Sequence, residues 1–188
     1  MNLKKLTVAV LAVAFISTST FANNTESRNG KEVVTENKKE EKTIVGVAAG
    51  NDSFTTLVAA VKAAGLVDVL NGNGPFTVFA PVNGAFDKLP KGTVATLLKP
   101  ENKKLLTAIL TYHVVAGKFD AKAVIGAIKA NNGKFTVTTV QGGKLTASLN
   151  NGKVILTDVK GNTSTVVITD VKASNGIVHA IDSVVMPK

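Results

Sequence analysis

The side chains of this sequence best suited to acid–base or nucleophilic chemistry are few: two histidines, His113 and His179, and one tyrosine, Tyr112. Tyr112 and His113 are adjacent, in LTYHVVAGKF, and His179 lies in NGIVHAID. A metal centre needs three or four convergent ligands. Here there are two histidines, no cysteine, and eight acidic residues scattered beyond residue 42. No HExxH, calcium-loop or paired-histidine spacing occurs. A serine hydrolase needs its nucleophile held against a base, commonly on a GxSxG elbow. The serines here fall in turns or at strand edges instead. The glycines of NGNGP, Asn71 to Pro75, follow a helical pattern and open a strand. A phosphate cradle has the reverse order, so this is a connector. The residues therefore predict no catalytic site, no cofactor and no metal.

The elements that would hold these side chains divide into a helical half and a strand half. Ser53 is a candidate N-cap for a helix carrying Phe54, Leu57, Val58 and Val61 at helical spacing, closed by Gly65. PFTVFAP reads as a short apolar strand, after which Asn83 is placed to cap GAFDKL. Pro100 precedes a helix whose apolar face is Leu105, Leu106, Ile109 and Leu110. TYHVV then reads as a strand, with Tyr112 and His113 on opposite faces. A histidine sharing its face with Val115 after a long apolar helix is expected in the interior, bonded to backbone or a polar neighbour. Asp120 caps AKAVIGAIKA, which Asn131-Asn132-Gly133 ends. From Lys134 the period becomes two, with turns at Gln141-Gly142-Gly143, Asn150-Asn151-Gly152, Lys160-Gly161-Asn162 and Ser174-Asn175-Gly176. The expectation is an α+β domain, its mainly antiparallel sheet running from Lys134 to Met186.

Residues 1–22 have a basic start at Lys4 and Lys5, an apolar run from Leu6 to Ile16 and a small-residue end at Ala22. That is the layout of a secretory signal peptide. Residues 23–42 are polar and mixed in charge, the composition of a flexible tether. Residues 43–188 suit one core. They carry fifteen lysines, no arginine and a net charge of +7. Such lysines solvate a surface and guard sheet edges, or they face an acidic polysaccharide, an anionic lipid headgroup or an acidic protein. Nucleic acid is disfavoured without arginine forks or many aromatics. No segment after the leader is long and apolar enough to span a bilayer.

Three stretches follow one another in order: TVFAPVNGAF (Thr77 to Phe86), YHVVAG (Tyr112 to Gly117) and NGIVHAIDSVVMP (Asn175 to Pro187). Together with SFTTLVAAVKAAGLVDVLNG they resemble the fasciclin domain family over nearly all of residues 43–188. One position departs: Val82 stands where the family more often has threonine. The resemblance implies a wedge-shaped β-sandwich with several α-helices packed around it. It also implies a non-enzymatic, exported adhesion or matrix-type module that binds a surface protein or acidic polysaccharide, at the cell surface, outside the cell or in the periplasm. Its motif residues are Thr77, Phe79, Pro81, Asn83, Phe86, Tyr112, His113, Gly176, His179 and Asp182, in structural or interaction roles, and the resemblance makes Tyr112 with the loop after it the route to a partner. The other reading is a small-ligand binding protein with a pocket between helices and sheet.

Overall fold

A computed structural model describes residues 42–188. The expected signal peptide and all but the last residue of the expected tether lie outside them. Helices come first: α1 (Ile44–Ala49), α2 (Thr55–Ala64) and α3 (Val67–Asn71) precede β1 (Phe76–Pro81). Then come α4 (Asn83–Asp87), α5 (Thr93–Leu97), α6 (Lys103–Tyr112), β2 (Val114–Ala116) and α7 (Ala121–Ala130). The chain finishes with β3 (Lys134–Thr138), β4 (Lys144–Asn150), β5 (Lys153–Thr157), β6 (Thr163–Ala173) and β7 (Gly176–Ile181). The short helices α1 and α5 carry too few periodic residues to stand out in sequence.

The seven strands form one sheet in the order β2-β1-β7-β6-β5-β4-β3. All neighbours are antiparallel except β1 and β7, which run parallel from Phe76↔Gly176 to Pro81↔Ile181. β6 is the fold line. Its Thr163–Thr165 pair with β5, and its later residues pair with β7 through two register shifts. The two ends of the sheet come together where Val115 bridges Thr139. The layers of the expected sandwich are therefore two halves of one bent sheet.

Two cores follow from strand alternation. Val78 and Ala80 of β1 with Val178 and Ala180 of β7 pack against the helices, including Leu57, Val61, Leu106, Ile109 and Leu110. Phe79 and Ile181 point the other way and meet Val166, Leu145, Ala147, Leu156 and the buried face of α7, Val124 and Ile128. Leu105, expected on the buried face of α6, is 52% exposed. It lies one residue outside the stripe set by Leu106, Ile109 and Leu110.

Local chemistry explains the helix ends. Gly65 adopts φ 71°, the left-handed C-cap that glycine permits. Asp120 accepts the Ala123 amide at 2.6 Å and caps α7 as expected. Ser53 is not the cap of the second helical segment: Asn51 is, accepting the Ser53 amide at 2.9 Å and starting a 3₁₀ turn that runs into α2. Asn83 does not cap α4 either, since the N-cap position is Val82, which has no side-chain acceptor.

Candidate functional site

TYHVV is not a single strand. Tyr112 is the last residue of α6, His113 is its C-cap and the strand begins at Val114. The two side chains still diverge, but the cause is the helical turn rather than strand alternation. Tyr112 enters the core inside the sheet, fully buried, and its hydroxyl donates to the Lys144 carbonyl at 2.6 Å. The expectation that Tyr112 offers a route to a partner is thereby overturned. A buried phenol with its O–H spent on backbone has nothing left to present. Burial raises its pKa, with the nearby Asp158 carboxylate acting in the same direction against a backbone contact from Val159.

His113 is 2% exposed and sits on the helix side of the sheet. Its Nδ1 lies 2.7 Å from the Ile109 carbonyl, which can only accept, so Nδ1 carries the proton. Nε2 then accepts the Val185 amide at 3.3 Å. Burial pushes its pKa down to about 4, opposed in part by the bond to Ile109. His113 thus ties α6 to the C-terminal segment as a neutral ring.

His179 plays the matching role on the other face. Its ring stacks on that of Phe79, its β1 register partner, with centroids 5.7 Å apart. Nε2 donates to the Phe119 carbonyl at 2.8 Å, and Nδ1 accepts the Asp170 amide at 3.3 Å. Thr77, also fully buried, accepts the Phe119 amide at 2.9 Å and donates to the Gly117 carbonyl at 2.7 Å. Both polar backbone groups of Phe119 are therefore held by motif side chains. That anchors the β2–α7 loop onto the β1–β7 pair.

The remaining motif residues join elements further apart. Asn83 accepts the Thr56 amide at 3.1 Å and donates to the Asp52 carbonyl at 2.7 Å. It thereby satisfies the open N-terminus of α2, a helix other than its own. Asp182 accepts the Thr165 amide at 2.7 Å and pairs with Lys88 at 3.3 Å, linking α4 to the fold line of the sheet. Burial would raise its pKa, but the Thr165 bond and Lys88 outweigh that and hold it below the usual carboxylate range. Pro81 closes β1 opposite Ile181, and Phe86 packs partly buried on the helical core. At Gly176 any Cβ would collide with the Phe76 carbonyl, so glycine lets β7 start against β1.

The structure thus gathers Thr77, Phe79 and His179 at one node. His113 and Tyr112 are placed on opposite sides of the sheet, and Asn83 and Asp182 at separate joints. Neither histidine meets a carboxylate side chain by hydrogen bond, and each uses both nitrogens on backbone groups. Among the described residues no three His, Cys, Asp or Glu side chains converge as a metal site. The cavity between helices and sheet, lined by Ile44, Leu57, Val61, Leu110 and His113 among others, holds about 30 Å³. That is room for one water.

Two anchoring residues escaped the sequence reading. Asn175 accepts the Ile44 amide at 3.0 Å and donates to the carbonyls of Leu70 and Gly72, so it docks α1 against α3. Its neighbours Ser174 and Gly176 make it look like an ordinary turn residue. Asp158, 6% exposed, accepts the amides of Lys160, Asn162 and Met186 and the Asn162 side chain. The sequence DVKGN, an Asp before a glycine turn, carried that signal.

The profile of the fasciclin domain matches residues 52–187. Protein sll1483 of Synechocystis sp. is 54% identical over 145 residues, covering 77% of this chain and 73% of that protein. The cell surface glycolipoprotein MPB83 of Mycobacterium bovis is 37% identical over 149 residues, covering 77% of this chain and 60% of that protein. Among solved structures, a domain pair from the insect cell adhesion molecule fasciclin I superposes with a TM-score of 0.67 at 19% identity. That match covers 76% of this chain and 50% of the pair, and it shows the fold.

Proposed function

The chain belongs to the fasciclin domain family, and from that premise we propose that it works as a non-enzymatic, exported interaction module. Its partner is a surface protein or an acidic polysaccharide, met at the cell surface, outside the cell or in the periplasm. The observation that carries this reading is the use of the reactive side chains. Tyr112, His113 and His179 are all buried, and every polar atom of each is engaged with backbone. A general base must reach the proton it abstracts. Neither ring can do so without giving up a buried bond. What remains for chemistry with other molecules is the surface, and its excess positive charge is carried by lysine.

A surface partner is also supported by the relative whose name places it at the cell surface. The small-ligand alternative would need a pocket of several hundred Å³. The cavity of about 30 Å³ between helices and sheet does not supply one. The test is retention of purified protein on whole cells and on immobilised acidic polysaccharide as salt is raised. Salt-sensitive retention on either is expected. Negligible retention on both at low salt refutes the reading.

A further inference from the structure

We propose that the outward face of β3, β4, β5 and the start of β6 is the docking surface for a polyanionic polysaccharide, one bearing carboxylate or sulfate groups. This rests on the interaction-module reading above and names the part of the surface that carries it. Strand alternation sends Val137, Leu145, Ala147, Leu156 and Val166 inward. The opposite positions are exposed or half-buried. The register sets four of them in one row across four strands: Thr136↔Thr146, Thr146↔Thr157 and Thr157↔Thr163. The hydroxyls of Thr136 and Thr146 lie 3.1 Å apart, so the row is formed by side chains as well as by backbone. The adjacent row adds the hydroxyls of Ser148 and Thr165 on either side of Ile155.

Lysines bound this hydroxyl field. Lys134 opposes Ser148, Lys144 opposes Thr138 and Lys153 opposes Asn150. Lys144 and Lys153 are separated by about 20 Å along the strands, six residues at the extended rise. Edge protection accounts for lysine on an edge strand. Lys144 and Lys153 lie on strands that are central in the sheet order, but each is paired on one side only, with Thr138 and with Asn150, so edge protection and ligand contact are both open to them and the variants below separate the two. From Lys134 to Thr165 the only acidic residue is Asp158, and it is buried with its carboxylate bonded to four N–H groups. The strands of the face thus contribute no free carboxylate, and the one at its margin, Asp182 beside Thr165, is paired with Lys88 at 3.3 Å.

The same inventory selects the partner. Within the strand rows Ile155 is the one large apolar side chain, and the exposed Val140, Val159 and Val167 lie in the turns or beyond Thr165, so the middle of the face lacks the apolar centre of a protein interface. No aromatic ring points outward for stacking on neutral sugar, since Phe135 packs toward the inner core. Rows of hydroxyls between separated ammonium groups match a chain that alternates hydroxyls with anionic groups. Each lysine contact is weak alone, and several on one polymer add up through effective concentration.

The test compares two triple variants of the exported protein, each with three positive charges removed. One is Lys134→Gln, Lys144→Gln, Lys153→Gln on the sheet face. The other is Lys62→Gln, Lys99→Gln, Lys104→Gln, on α2, in the bend after α5 and on α6. Heparin is the sulfated probe and polygalacturonate the carboxylated one. The expected result is a loss of affinity of about tenfold or more for the sheet variant and under about threefold for the helix variant. Independently of any variant, bound polymer should shield Lys134, Lys144 and Lys153 of the unaltered protein from acetylation more than Lys62, Lys99 and Lys104. Equal losses in both variants, or uniform shielding, overturn the face assignment while leaving the module reading intact. Whole-cell retention that survives complete polysaccharide digestion, with no binding to either probe, overturns the polysaccharide in favour of a protein partner. No retention on probes or cells overturns both readings.

Discussion

Acidification should weaken this domain through His113, and the effect can be isolated. The unfolded chain takes up a proton on that imidazole near 6.5, whereas burial holds the folded ring at about 4. A folded pKa below the unfolded one means that the unfolded state binds the extra proton, so stability falls as pH drops from 6.5 toward 4. Below the folded value the loss is complete. Between about pH 7 and pH 4.5 the difference integrates to about 2 kcal/mol, at 1.36 kcal/mol per pKa unit. Physically, protonating Nε2 places an N–H against the Val185 amide, which is itself a donor. The perturbation is His113→Ala. At neutral pH it should cost about 1–3 kcal/mol, because the Ile109 carbonyl and the Val185 amide lose their partner in the core. Urea unfolding of both proteins at the two pH values gives the double difference, in which contributions from groups other than His113 cancel. The variant should lose about 2 kcal/mol less on acidification than the parent. Equal losses in the two proteins would refute the assignment of the effect to His113. A variant as stable as the parent at neutral pH would refute its role as a core tie.

Other outcomes follow from the same contacts. Tyr112→Phe removes one buried O–H bond to Lys144 and should lower the unfolding free energy by about 1 kcal/mol, while leaving retention on cells or polysaccharide unchanged. A loss of retention at unchanged stability would contradict the buried placement. Gly176→Ala forces a Cβ against the Phe76 carbonyl, and strand separation there should cost about 2–3 kcal/mol by urea unfolding. Asp158 acts in a lower window than His113. Burial would raise its pKa, but the bonds from Asn162, Met186 and Lys160 hold it below the ordinary 3.8. Its contribution is present above that value and lost as pH falls through the folded pKa. Asp158→Asn should therefore destabilise at neutral pH and flatten the steepest acid limb, below about pH 4, leaving the His113 limb in place.

The helices with a broad apolar stripe and a good cap were legible in the sequence. α7 begins at the Asp120 cap, and Gly65 closes α2 in the left-handed conformation that its type suggests. Caps supplied from elsewhere in the chain were not legible. Asn83 reads locally as the start of its own helix, yet its amide bonds the N-terminus of α2, because that helix has open N–H groups and lies beside it in space. TYHVV reads as a strand because Tyr, Val and Val favour strands. In the fold the helix runs on to Tyr112, since Leu106, Ile109 and Leu110 bury its face and propensity yields to packing.

Composition and motif order by themselves determined the family, the α+β class, the scarcity of catalytic groups and the excess of lysine. Those properties depend on residue type and spacing along the chain, which the sequence contains in full. The bend at β6 decided that one sheet makes both layers, and the parallel pairing of β1 with β7 brought His179 onto Phe79. Strand register decided that Thr136, Thr146, Thr157 and Thr163 share a row. These are relations between residues distant in sequence. They are set by which strands pair and in what register, and in this fold burying the two apolar cores chose that register.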